Sequence, residues 1–217
     1  MPVVLLGVLT ALDALTDWAA VVHDRRRAEH VTKPLVMVGL MAITVAAGGT
    51  GSAAGWWLLA ALFFGMLGDI ALLGDSEPRF LSGVAAFLVG HVGYVVCFAL
   101  LGLPSPAWAW VVIVVLVAML VVTRRVVPTA YRLAGARIAV PIALYSLVIG
   151  IMLVLAWLTG LPLVAAGATI FVVSDAMIAL TLAETEFGRP HGAVQLAIMV
   201  TYHVGQALVA AGVLHAL

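Results

Sequence analysis

Residues 54–101 read AGWWLLAALFFGMLGDIALLGDSEPRFLSGVAAFLVGHVGYVVCFALL. Two apolar runs, 54–73 and 80–101, flank a short polar knot, Gly74-Asp75-Ser76-Glu77-Pro78-Arg79. Each run has the roughly 20 residues that a helix needs to cross about 30 Å of hydrocarbon. A strand of a membrane barrel would be about ten residues long and would alternate strictly. These runs are continuous, so the stretch predicts a pair of antiparallel membrane helices.

The same ruler, carried outward, finds six more spans: 3–23, 33–48, 107–123, 137–158, 162–182 and 192–215. The run 33–48 is short, which predicts a helix that is tilted or extended into its flanks. The fold class is therefore all-α: a polytopic membrane protein of eight transmembrane helices in a compact bundle, with residues 1–217 as a single transmembrane domain. Composition agrees. Of 217 residues, 65% are hydrophobic and 9% charged, and the mean hydropathy is +1.24. A soluble domain carries about a quarter charged residues, and a disordered chain needs low hydrophobicity with high net charge. Ten basic and ten acidic residues balance, so no overall field favours nucleic acid, and none is expected as a partner. The one cysteine, Cys97, lies in an apolar run and builds neither a disulfide framework nor a thiolate metal site.

The loops predict orientation. Arg25, Arg26, Arg27 and Lys33 fall between spans 1 and 2, Arg79 between 3 and 4, Arg124, Arg125, Arg132 and Arg137 between 5 and 6, and Arg189 between 7 and 8. All the basic residues are thus on one side, expected to be cytoplasmic, with both termini outside. Trp56, Trp57, Trp108, Trp110 and Trp157 fall at the opposite ends of their spans, as an interfacial aromatic belt should. The N-terminus lacks a basic n-region and carries Asp13 and Asp17 within its apolar stretch, which argues against a cleavable signal peptide. A faint repeat is present. Pro34 and Pro141, Gly68-Asp69 and Ser174-Asp175, and His91 and His203 are separated by similar intervals. Two four-helix repeats in the same orientation would account for this spacing.

Ionisable groups at membrane depth are expensive, so each is a functional candidate, with interhelical hydrogen bonding as the competing role. Asp69 lies about one turn from the basic end of its span and Asp175 about two, each after a small residue, Gly68 or Ser174. Asp13 and Asp17, four apart, form one stripe with Thr10. Asp17 is shallow enough to reach the same cavity, whereas Asp13 reads as structural. His91 and His203 lie near the midplane, roughly 16 Å from the basic ends of their spans. Tyr94 is one turn beyond His91, and Tyr202 and Gln206 flank His203, with Gln195 and Met199 extending that stripe. Lys33 and Arg137 open spans 2 and 6, and Arg137 shares a face with Pro141 and Tyr145, aimed at the same cavity. Four intramembrane carboxylates then face at most two cations. The excess negative charge has to be relieved by protonation, by histidinium or by a bound cation. A protonated Asp beside an ionised one is the arrangement that supports acid catalysis through an oxocarbenium ion.

Several of these residues form a recognisable set. Lys33-Pro34-Leu35, Gly68-Asp69, the run Phe80, Gly83, Phe87, Gly90-His91 and Tyr94, then Gly167-Ala168, Phe171, Ser174-Asp175, Tyr202 and Gly205-Gln206 resemble the YhhN family of lysoplasmalogenase-like integral membrane proteins, over about residues 33 to 208. The resemblance implies hydrolysis of the vinyl ether bond of a lysoplasmalogen to a fatty aldehyde and glycerophosphoethanolamine or glycerophosphocholine. A lysophospholipid and the surrounding membrane lipids are then the expected partners, and no cofactor is implied. The chemistry needs an acid to protonate the enol-ether carbon, an anion to stabilise the cation, and a placed water. Asp69 and Asp175 are the expected catalytic carboxyl pair. His91, Tyr94, Tyr145, Tyr202, His203 and Gln206 are expected to shape the pocket, orient water or relay protons, with Asp17 and Ser174 beside them, and Lys33 or Arg137 to hold the lipid phosphate. The Ala-, Val- and Arg-rich composition suggests a high-GC bacterium and hence its plasma membrane. Aerobic bacteria often lack plasmalogens, so another ether lipid or lysolipid stands as a substrate too. Two rivals use the same residues: a zinc hydrolase with Asp69, His91, Asp175 and His203 as ligands, and a proton-coupled transporter of lipids or small molecules.

Overall fold

The computed structural model describes residues 1–104, 109–185, 187 and 190–217, with the side chains of 109, 111, 183 and 184 left aside. Trp108 and Arg189, assigned above to the aromatic belt and to a basic loop, lie outside the described residues. Among the described residues there are eight α-helices: α1 (Pro2–Val22), α2 (Arg26–Ala46), α3 (Ala53–Leu72), α4 (Glu77–Leu101), α5 (Ala109–Ala134), α6 (Ala136–Leu158), α7 (Pro162–Thr185) and α8 (Gly192–Ala216). A single 3-10 turn, Gly49–Gly51, precedes α3. Among the described residues there is no strand, and each of the eight helices is long and apolar enough to cross a membrane.

Local chemistry explains the helix ends. Ser52 caps α3 by accepting the Gly55 amide at 3.0 Å, which satisfies one of the donors that a helix start leaves open. Proline stands in the first turn of α1 and α4 and opens α7, where its missing N–H removes no bond. Arg79 donates to the Ile70 and Ala71 carbonyls at 3.1 and 3.2 Å, closing the last turn of α3. Between α5 and α6 the chain turns on one residue, Gly135, at φ 65°, a conformation that favours glycine.

Two helix bounds differ from the sequence reading. The second helix starts at Arg26 rather than 33, so it extends into its flank, as its short apolar run predicted, and is 21 residues long. The fifth runs to Ala134, which puts Arg124, Arg125 and Arg132 on a helix instead of in a loop. Both differences have one cause. Hydropathy senses the solvent around a segment, whereas backbone hydrogen bonding continues past the hydrocarbon boundary into polar turns.

Helices adjacent in sequence pack as pairs, most closely α3 with α4 and α7 with α8. Without a hydrophobic force between apolar helices in lipid, such pairs rely on close van der Waals approach through small residues. At the α7–α8 crossing a Cβ on Gly167 would lie 2.7 Å from the Val209 nitrogen, and one on Gly205 would lie 2.9 Å from the Phe171 nitrogen. The principal core, which includes Met37, Leu58, Leu62, Phe98, Met152 and Phe171, lies between these two pairs and α2 and α6. α5 is the least buried span; it packs on α6 and α7 and leaves Ile113, Val114, Leu116 and Val117 exposed.

Candidate functional site

Asp69 is brought to the bundle interior by the Gly68 step, because a Cβ on Gly68 would collide with the Phe87 ring. The carboxyl is 1% exposed. Its Oδ1 lies 3.3 Å from the Lys33 ammonium on α2, and its Oδ2 accepts the Tyr202 hydroxyl from α8 at 2.6 Å. Lys33 itself is buried. It does not open its helix but sits seven residues beyond Arg26, roughly 10 Å inside α2. A buried ammonium and a buried carboxylate offset one another's desolvation only when paired at close range with their remaining groups hydrogen-bonded, and Tyr202 supplies such a bond. Tyr202 is fixed in turn by ring contacts with Phe87 and Phe171.

Asp175 has different company. Its Oδ2 accepts the Tyr145 hydroxyl from α6 and lies 4.0 Å from Nε2 of His91 on α4. Among the described residues no Lys or Arg pairs with it. Its side chain is 13% exposed toward a cavity between α4, α5, α6 and α7, whose walls include Val84, Phe87, Met119, Ile149 and Val172. Those walls are almost wholly apolar. A second cavity, nearer the basic end, is lined by Glu29, Lys33, Thr185 and Gln195 among apolar residues. The two cavities share Leu72, Phe80, Ile178 and Leu182. A charged volume and an apolar volume therefore meet across one thin wall.

The two aspartates do not hydrogen-bond to each other. Each accepts its own tyrosine, and the connection between them runs through rings: Tyr202 packs on Phe171, and Phe171 packs on His91. Of the other residues anticipated for the site, Asp17 is fully buried and accepts Thr32 at 2.7 Å, next to Lys33 in the chain. Tyr94 donates to Gln206 across the α4–α8 contact. Ser174 donates to the Ile198 carbonyl at 3.0 Å, a clamp between α7 and α8. His203 accepts the Trp18 indole N–H at 3.1 Å and so turns toward α1. Arg137 must be moved out of the cavity. Its side chain is 67% exposed and pairs with Glu77 at 2.6 Å, because α4 starts early enough to present a carboxylate at the mouth of α6. The zinc set does not assemble. Asp69 is engaged by Lys33 and His203 by Trp18, and among the described residues no three His, Cys, Asp or Glu converge on a metal position.

Residues 28–213 match the YhhN family. The chain belongs to the YhhN family. No curated protein and no solved structure matches it. The match starts just ahead of Glu29 and Lys33 and covers every helix that supplies a group to the two Asp–Tyr pairs. Glu29, 1% exposed and bonded to Gln195 at 3.3 Å, is a buried carboxyl of this YhhN protein that the sequence reading missed. Its signal was present: Glu29, Lys33, Met37, Leu40 and Thr44 follow helical spacing, and all are buried.

Proposed function

We propose that this multi-pass membrane protein is an intramembrane lipid hydrolase of the lysoplasmalogenase type. It cleaves the vinyl ether of a lysoplasmalogen to a fatty aldehyde and a glycerophosphoethanolamine or glycerophosphocholine. The observation that carries this reading is a carboxyl with no Lys or Arg partner among the described residues, Asp175, set into the wall of an apolar cavity. A vinyl ether is protonated on carbon, which needs a carboxylic acid held against an apolar chain with little competing water. Asp175 is assigned as that acid. Asp69, whose charge is shared with Lys33, is assigned as the standing carboxylate that favours positive charge developing nearby. Lys33 lines the polar cavity and is the cation that receives the lipid phosphate, while the alkenyl chain occupies the apolar one.

Incubation of purified protein with a lysoplasmalogen and with its ester-linked analogue tests the reading. Aldehyde from the vinyl ether and no fatty acid from the ester is expected, unchanged by chelator. Asp175→Asn is expected to lower aldehyde release at least about 100-fold, the usual span of a lost general acid. Fatty acid release, or full activity of folded Asp175→Asn, refutes this mechanism. Accumulation of lipid in sealed vesicles without product would replace it with transport.

A further inference from the structure

His91 is 2% exposed, and its two ring nitrogens have distinct roles. Nδ1 lies 2.5 Å from the Phe87 carbonyl one turn earlier on α4. A carbonyl only accepts, so Nδ1 carries the proton and Nε2 is left with a lone pair. Nε2 is buried, has no hydrogen-bond partner, and points toward Asp175 Oδ2 at 4.0 Å. Tyr145 and Phe171 hold the ring edge-on, with centroids 5.1 and 5.0 Å distant. His203 shows the contrary arrangement. Its Nδ1 accepts from Trp18, so its Nε2 carries the proton, and it faces α1 and not Asp175.

A gap of 4.0 Å is too long for a hydrogen bond and suits one water. An oxygen about 2.8 Å from both atoms would subtend roughly 90° between them, and it would satisfy a buried acceptor otherwise left open. We propose that His91 Nε2 and Asp175 hold the attacking water between them, and that His91 is the base that takes its proton. This inference rests on the lysoplasmalogenase reading and extends it to a second catalytic residue.

The proton count then closes on two side chains. Asp175 gives its proton to the β carbon of the vinyl ether; the π pair forms the new C–H bond, and the α carbon becomes an oxocarbenium. The water oxygen bonds to that carbon, and its proton passes to His91 Nε2, leaving a neutral hemiacetal. Imidazolium His91 returns a proton to the ether oxygen as the C–O bond breaks, while the hemiacetal hydroxyl gives its proton to the Asp175 carboxylate. Aldehyde and glycerol hydroxyl leave with Asp175 protonated and His91 neutral, as at the start. No oxidant, metal or third proton donor enters the balance.

The test is His91→Gln, with His91→Asn as a second variant, each first confirmed as folded by thermal unfolding in detergent. With a lysoplasmalogen in D2O, kcat is expected to fall about 100-fold with KM little changed. Unreacted substrate should also gain deuterium at the vinyl β carbon faster than aldehyde is released. The cation still forms in these variants but, lacking a base to deliver water, returns its proton to Asp175. A purely structural role would slow exchange and hydrolysis together. Aldehyde release within about threefold of the parent, or loss of activity without exchange into recovered substrate, overturns the proposal. A parent protein that releases no aldehyde at all would sink the functional reading instead, which separates the two failures.

Discussion

Lys33 is the residue on which the buried electrostatics turn. Asp69 is paired with it, Asp17 is bonded to its neighbour Thr32, and Glu29 lies one turn before it on α2. Removing its charge leaves Asp69 as an uncompensated ion, which generally costs about 3–5 kcal/mol, whereas removing both charges is far less harmful. Lys33→Met should therefore lower the thermal midpoint in detergent sharply, and Lys33→Met/Asp69→Asn should recover most of the loss while remaining inactive. Equal midpoints for the two variants would show that the pair is not coupled. The carboxylates themselves were legible in the sequence, since Asp69 and Asp175 interrupt apolar runs. Their partners were not. Whether Lys33 or Arg137 turns inward depends on the rotation of α2 and α6, and on the Glu77 carboxylate that draws Arg137 outward. Neither is encoded in spacing along one helix.

For the helices, glycine placement decides how close the bundle comes to itself. Gly167 and Gly205 let α7 and α8 approach beside Tyr202, and the Tyr202 hydroxyl passes 3.6 Å from where a Cβ on Gly65 of α3 would stand. Overfilling a packed contact usually costs about 1–3 kcal/mol, so Gly205→Val should lower the thermal midpoint. It should also reduce aldehyde release, because it displaces Tyr202 three residues away. A variant with parental stability and rate would mean that this crossing is looser than the geometry implies. The existence of all eight helices was legible from apolar length. The extents of α2 and α5 were not, because Arg26, Glu29 and Lys33 at one end, and Arg124, Arg125 and Arg132 at the other, look like loop residues to any measure based on hydrophobicity.

Over the whole molecule, the two halves of the chain meet through matching positions. His-Val-Gly occurs at 91–93 and again at 203–205, and the residues that follow, Tyr94 and Gln206, are hydrogen-bonded to each other across α4 and α8. The 112-residue interval that relates the histidines thus also relates the two ends of a central contact. Of the two Asp–Tyr pairs, Asp69–Tyr202 joins the two halves and has a lysine beside it, whereas Tyr145–Asp175 lies within the second half and has a histidine from the first beside it. The apolar cavity gives a prediction at this scale. Ala179 lines it on α7, and Ala179→Trp should raise KM for a long-chain lysoplasmalogen about tenfold, with a smaller effect on a short-chain analogue. An unchanged KM for both chains would place the substrate elsewhere.

The wall formed by Leu72, Phe80, Ile178 and Leu182 has a consequence for turnover. On the proposed reaction, breaking one bond converts an amphiphile into an oil-soluble aldehyde on one side of that wall and a water-soluble phosphodiester on the other. Each fragment then has a different solvent to dissolve into. Neither is held by the other, and rebinding would require both to return from separate phases at once. The partition of products between bilayer and water would draw the reaction forward, without any conformational step to eject them.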